Sequence, residues 1–256
     1  MPAAVSIEIP RSDPLFAALP ASCVGSATHV LARDAADRLE LRRVQDRLGL
    51  GIRVDLGAIA LGSALALRRQ PMLRALGDAA HVVDATAGLL GDAWLIAASG
   101  RQVFAVERDP FVHALAHDGL TRALRDDALR AIASRIELHA MDAEVAFASL
   151  RARGFTTPST AILLDPMFPP KRKKSALPPK EMQVLKELLG MPTLEVRVDS
   201  ERTLLASARA TGVARVIVKR PDHAGDFAGV LPSWSTHGTL VRFDVYASQE
   251  GAGTHG

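Results

Sequence analysis

The sequence predicts an α/β fold: a mostly parallel sheet with helices on both faces, preceded by a small N-terminal α/β module. Three observations carry this. From His81 onward, apolar runs of strand length alternate with stretches of helical spacing, the pattern of a parallel sheet covered on both sides. Two earlier runs, Leu39 to Arg42 and Ile52 to Leu56, alternate apolar and polar residues with period two, as half-buried strands do. The chain's 256 residues suit one large domain or a medium domain with an appendage, and 48% hydrophobic content suits a packed globule.

Residues 1–35 give weak signals, with prolines at 2, 10, 14 and 20 and then an Ala-rich segment. Gly49 and Gly51 between the two alternating runs predict a hairpin with a longer loop. Residues 1–75 are assigned to the N-terminal module, with Arg68, Arg69 and Pro71 at its exit; residues 76–250 form the main domain and 251–256 a frayed tail. His81 to Asp84 reads as a buried strand, Ala93 to Ser99 as a helix, and Val103 to Glu107 as the next strand. Asp109 is a natural N-cap with Pro110 at the first helical position, and Val112, Leu115, Ala116 and Leu120 follow at helical spacing. Ile136 to His139 and Ala161 to Asp165 continue the sheet. A helix follows from Pro178 to Leu189, then one capped at Asp199 or Ser200 and ending near Gly212. Arg215 to Lys219 and Leu240 to Tyr246 complete the strands.

Composition excludes several classes. Aromatic residues make up 4% of the chain, too few for a broad base-stacking platform. One cysteine, Cys23, makes neither an internal disulfide nor a Cys-rich zinc site, so a reducing cytoplasm is expected. The histidines show no metal-ligating spacing, and no metal is expected. The N-terminus lacks the basic start and apolar core of a signal peptide. The longest soft stretch, Gly57 to Leu67, falls well short of the roughly 20 residues of a membrane helix, so no membrane partner is expected. The sequence pI of about 9.3 gives weak support to a polyanionic partner.

In a parallel sheet, ligands bind beyond the carboxyl ends of the strands, so the informative residues follow each strand. Here they are Asp84, Glu107, Asp142 and Asp165. The loop Asp84 to Asp92 holds Gly88 and Gly91, which let backbone approach a ligand and precede a helix with free N–H groups. Its spacing is not that of a dinucleotide fingerprint, which favours a smaller carboxylate over a pyrophosphate; a plain strand-to-helix turn is the competing reading. Glu107, about 20 residues after that loop, is placed either to accept both hydroxyls of a ribose or as a surface charge before a turn. Arg108 is a candidate to cover an adenine face or simply a solvent-facing charge. Met141-Asp142 are candidates to supply an apolar wall and an acceptor for its amino group, with core filler the competing reading for Met141.

Asp165-Pro166-Met167-Phe168 has what is needed to hold a flat amine-bearing ring: a carboxylate, a turn carbonyl and an aromatic face. The alternative is an Asp-Pro turn closing a buried strand. Six of the fifteen prolines fall in residues 158–179 and bracket Lys171, Arg172, Lys173 and Lys174, a candidate phosphate-contacting loop or a merely solvated run. Lys219-Arg220, ending a later strand on the same edge, is a candidate addition to that basic rim.

At these residues the chain resembles class I S-adenosylmethionine-dependent methyltransferases, and more closely the RsmJ type of small-subunit ribosomal RNA guanine-N2 methyltransferase. The resemblance is carried by VVDATAGLLGDA at 82–93, VERDP at 106–110, LLDPMFP at 163–169, KEM at 180–182, VKRPD at 218–222 and RFDVYA at 242–247, in order. It implies a Rossmann-like fold with a seven-stranded sheet, S-adenosylmethionine as cofactor, and cofactor contacts at Gly91-Asp92, Glu107-Arg108, Met141-Asp142 and Asp165. It further implies transfer to guanine N2 in small-subunit rRNA. There are departures: the family's loop usually reads Gly-Leu-Gly-Arg-Asp, whereas here it reads Gly88-Leu89-Leu90-Gly91-Asp92. Serines often stand in the family at the Met141-Asp142 positions, and the basic run after Pro170 is heavier than its usual lysine pair.

Three alternatives stay open at this level: methylation of another amine such as adenine N6, a nucleotide-dependent oxidoreductase, and a non-catalytic RNA-binding assembly factor. The last leaves the strand-end acids without a role.

Overall fold

The computed structural model describes residues 4–20, 27–150, 152, 159–166, 180–190 and 193–248. The N-terminal part holds β1 (Val5–Glu8), β2 (His29–Arg33), β3 (Leu39–Arg43), α1 (Ala64–Arg68) and α2 (Pro71–Leu76). The remainder runs β4 (His81–Asp84), α3 (Gly91–Ala98), β5 (Gln102–Glu107), α4 (Pro110–Arg125), α5 (Arg130–Ala133), β6 (Ile136–Ala140) and α6 (Ala143–Ser149). It continues with β7 (Thr160–Leu164), α7 (Lys180–Leu189), α8 (Leu194–Ala210), β8 (Arg215–Pro221), β9 (Trp234–His237) and β10 (Val241–Ala247).

The main sheet has seven strands in the order β6-β5-β4-β7-β8-β10-β9. Pairings from β6 to β8 are parallel, while β10 is antiparallel to both β8 and β9. Chain order reverses between β4 and β7, which makes the gap above their carboxyl ends the switch point where such sheets bind ligands.

The inner parallel strands β4, β5, β7 and β8 are apolar through their middles because they are covered twice, while the outer strand β6 is partly exposed and carries Glu137 and His139. Val82, Val103, Ala161, Leu163 and Ile217 face one buried cluster with α2, α3 and α4, while Val83, Phe104, Ile162, Leu164, Val216 and Val218 face a second with α6 and α8. Successive side chains go to opposite faces, so both faces demand hydrophobes. As expected, Asp109 caps α4, accepting the Phe111 and Val112 N–H groups at 3.0 Å each, with Pro110 in the first turn.

The N-terminal residues form a three-stranded sheet, β1-β2-β3, with β1 parallel and β3 antiparallel to β2. The hairpin is therefore β2–β3, turning at Asp34 to Arg38, and not Leu39 to Leu56. Asp34 Oδ1 holds that turn by accepting the N–H groups of Ala36 and Arg38 at 2.9 and 3.0 Å. Ile52 makes only an isolated bridge to Leu41; Val54 and Leu56 alternate inward because that extended segment lies on the core without pairing along its length. Buried Glu40 ties it down by accepting the Gly49 and Gly51 N–H groups. Gly119 lets α4 approach this segment, since a Cβ there would lie 2.4 Å from Val54 Cγ1. The first buried cluster thus runs without a break from Val5, Leu31 and Leu41 through Val54 to α4 and the main sheet.

The helix before β8 also differs from expectation. Thr193, not Asp199 or Ser200, caps α8, and the latter two lie within it. No helix among the described residues is long and apolar enough to cross a membrane.

Candidate active site

β4 ends at the switch point in Asp84, which is 2% exposed. Its Oδ1 accepts the Thr86 N–H at 3.3 Å, while Oδ2 is buried with no hydrogen-bond partner among the described residues. Burial, then the Asp92 charge, pushes this carboxyl up to about 8, so Asp84 holds its proton at neutral pH.

The chain then turns through Gly88 at φ +53° and Leu90 at φ +66° before entering α3 at Gly91. Leu90 therefore keeps the left-handed conformation that a glycine would take there without strain, with its side chain fully buried. A Cβ at Gly91 would meet nothing within 4 Å, so the backbone at the start of α3 borders open space.

Glu107, at the end of β5, braces the loop. Its Oε2 accepts the Gly88 N–H at 3.0 Å and its Oε1 the Asp109 N–H at 2.7 Å. Burial raises its carboxyl, and the two backbone hydrogen bonds oppose that shift. Each oxygen retains a second lone pair for a hydroxyl. Arg108 is exposed. After β6, Met141 packs partly against the second buried cluster, and Asp142 stands exposed at the N-cap of α6 without a side-chain cap hydrogen bond.

Asp165 follows β7 directly. Its N–H donates to Thr86 Oγ1 at 2.6 Å, joining the end of β7 to the loop after β4. One step beyond the register pair Leu164–Val218, Asp165 meets Lys219 of β8. Lys219 Nζ lies 2.9 Å from Asp165 Oδ2 and 2.6 Å from Asp92 Oδ2. Burial raises the Asp165 carboxyl, the Lys219 ammonium lowers it, and the Asp92 charge raises it again. Burial disfavours the Lys219 ammonium, but Asp165 and Asp92 more than offset this and hold its pKa above the ordinary lysine value.

The structure thus gathers Asp84, Asp92 and Asp165 around one ammonium, with Glu107 bound to the same loop. It leaves Arg108 and Asp142 exposed at the flank. Phe168 and Lys171, Arg172, Lys173 and Lys174 lie outside the described residues. Lys219 and Arg220 do not form a basic rim. Lys219 is held by two carboxylates, and Arg220, 5% exposed, lies over the Phe227 ring and donates to the Gly225 carbonyl at 2.7 Å. The sequence reading missed the binding of Lys219 to Asp92 and Asp165; its signal was a lysine ending a buried strand beside strands that end in acids.

RFDVYA is structural. Arg242 donates from Nε and Nη2 to buried Asp244, at 2.8 and 3.1 Å, and from Nη1 to the carbonyls of Asp222 and Ala224 at 2.7 Å each. It fastens the turn after Pro221, and so the end of the strand carrying Lys219.

Comparison with known proteins places these features in company. The SAM-dependent methyltransferase family matches residues 23–248. Ribosomal RNA small subunit methyltransferase J of Alcanivorax borkumensis is 43% identical over 184 residues, covering 70% of this chain and 68% of its own. The protein of that name from Vibrio vulnificus is 39% identical over 227 residues, covering 83% of each chain. Among solved structures, the SAM-dependent methyltransferase NGO1261 from Neisseria gonorrhoeae superposes with a TM-score of 0.72 at 27% identity, covering 98% of this chain and 99% of that one.

Proposed function

Because the chain belongs to the ribosomal RNA small subunit methyltransferase J family of SAM-dependent methyltransferases, we propose that it methylates the exocyclic N2 amine of a guanine in small-subunit ribosomal RNA. The observation that carries the choice of site is Asp165, a carboxylate at the switch point whose backbone is held by Thr86 and whose Oδ2 is held by Lys219.

S-adenosylmethionine is the cofactor, and the residues present fit it. Gly91 borders open space, Glu107 has a lone pair on each oxygen for the ribose hydroxyls, and Asp92 offers a carboxylate beside the loop. Arg108, Met141 and Asp142 are the candidates around the adenine, and Gly88 gives the loop its turn. The cofactor supplies a methyl group on a positively charged sulfur.

The exocyclic amine of guanine is a weak nucleophile because its lone pair is delocalised into the ring. Asp165 and the Pro166 carbonyl accept its two hydrogens, aim the lone pair at the methyl carbon, and fix the approach. Attack on the methyl carbon would break its bond to sulfur, which keeps the electron pair. As the nitrogen gains positive charge, the hydrogen facing Asp165 would pass to the carboxylate, which returns it to water. Phe168 is the candidate to stack on the base, which must be unpaired or flipped to enter. Lys171, Arg172, Lys173 and Lys174 are candidate phosphate contacts. A ribosomal RNA substrate puts this work in the cytoplasm.

The test is transfer of tritiated methyl groups by the purified protein to small ribosomal subunits, and to their naked RNA, from cells lacking the gene. Label in N2-methylguanosine is expected. Label in N6-methyladenosine would move the acceptor to adenine, and absence of transfer to either substrate would overturn the reading.

A further inference from the structure

We propose that Lys219 is a positioning residue for methyl transfer, its ammonium clamping Asp165 through Oδ2 so that the carboxylate stays ionised and presents Oδ1 to the acceptor amine. This rests on the reading of Asp165 as the group that holds that amine.

The geometry assigns the role. Lys219 on β8 reaches two carboxylates from different elements, Asp92 on α3 at 2.6 Å and Asp165 after β7 at 2.9 Å. Asp84, at the end of β4, is the third carboxyl facing this cluster. Asp92 and Asp165 repel one another beside the buried Asp84 carboxyl, and without a cation the cheapest arrangement protonates one of them. A protonated Asp165 loses an acceptor and offers a donor, the wrong partner for an amine that must give up hydrogens. The Lys219 ammonium opposes this, lowering the Asp165 carboxyl against the effect of burial. It also fixes the carboxylate's rotation, because an ammonium on Oδ2 and the Asp165 N–H on Thr86 Oγ1 hold the residue at both ends. About a third of the Asp165 side chain stays exposed, so the clamp leaves the residue reachable.

Replacement of Lys219 separates this role from folding and from cofactor binding. Lys219→Met is expected to lower kcat about a hundredfold, the cost of a misplaced reacting group. The acid limb of its pH–rate profile is expected to move up by about one unit or more, because Asp165 loses its counter-charge. Lys219→Arg, which keeps the cation, is expected to recover part of kcat and the original limb. Calorimetric affinity for S-adenosylmethionine is expected not to weaken, since a positive charge has been removed near a cationic ligand. Asp92→Asn tests the same device with the opposite sign: with Lys219 left to Asp165 alone, the acid limb moves down. Direct titration of the Asp165 carboxyl carbon by NMR, with neither cofactor nor RNA present, is expected to show both shifts.

Wild-type kcat with an unmoved limb in Lys219→Met would overturn the proposal. So would an Asp165 titration indifferent to both substitutions, and if Lys219→Met does not fold, Asp92→Asn decides alone. The NMR titration needs no substrate, so a wild-type protein inactive on RNA would remove the functional reading without touching this test.

Discussion

Thr86 Oγ1 accepts the backbone N–H of Asp165 at 2.6 Å, joining the loop after β4 to the end of β7 across the switch point. The hydroxyl thus sets where Asp165 begins. Thr86→Val removes the acceptor at nearly constant volume and leaves an N–H without it, at a cost of about 1–2 kcal/mol of stability. Thr86→Ser keeps the bond. Denaturant unfolding should rank wild type and serine above valine, and turnover should follow the same order.

Asp84 links stability to pH. Its folded carboxyl is raised to about 8 by burial and the Asp92 charge, whereas in the unfolded chain it titrates near 4. Between those values the folded state holds a proton that the unfolded state has lost, so this group's contribution declines as pH rises through the window. The slope is at most about 1.4 kcal/mol per pH unit. Asp84→Asn keeps an acceptor for the Thr86 N–H and cannot ionise. Thermal unfolding without cofactor should show the variant gaining on wild type steadily from pH 5 to pH 8.

Leu90 sets strain against burial. Its left-handed backbone costs about 1–2 kcal/mol, and its fully buried side chain repays about 2–5 kcal/mol, so leucine is retained. Both Leu90→Gly and Leu90→Ala should therefore destabilise. Glycine should be the better tolerated by about 1 kcal/mol, because at positive φ alanine keeps the strain. Urea midpoints of the two variants check the order, which is the reverse of that in a helix.

Asp244 is fully buried against Arg242 and accepts the Ser235 hydroxyl at 2.6 Å. Asp244→Ala strands a buried guanidinium, at a cost of about 3–5 kcal/mol. Denaturation of the purified variant should show that loss, with the turn after Pro221 the first region to exchange amide hydrogens.

The parts legible in the sequence were those where one force dominates. β4, β5, β7 and β8 hold apolar runs because both faces are covered, and the ends of β4 and β5 were plain from Asp84 and Glu107. By contrast, β7 stops one residue short of Asp165 and β8 runs two residues past Lys219 to Pro221. β2 was not legible: His29 to Ala32 are all buried, so the strand shows no alternation, and β9 is a short polar strand at the sheet edge. Ile52 to Leu56 alternates like a strand, yet packing onto the core produces the same pattern without pairing. Asp84, Glu107 and Asp165 were visible as strand-end acids. That Lys219 belongs to Asp92 and Asp165 was not, because the register between β7 and β8 decides which charges meet, and no spacing along the chain encodes that register.

The most direct measurement of the account is the nucleoside content of small-subunit ribosomal RNA, by mass spectrometry, in cells lacking this gene and supplied with either the wild-type chain or Asp165→Ala. The account predicts a loss of N2-methylguanosine that the wild-type gene restores and the folded Asp165→Ala protein does not. Full restoration by Asp165→Ala, or no loss on deletion, would contradict it.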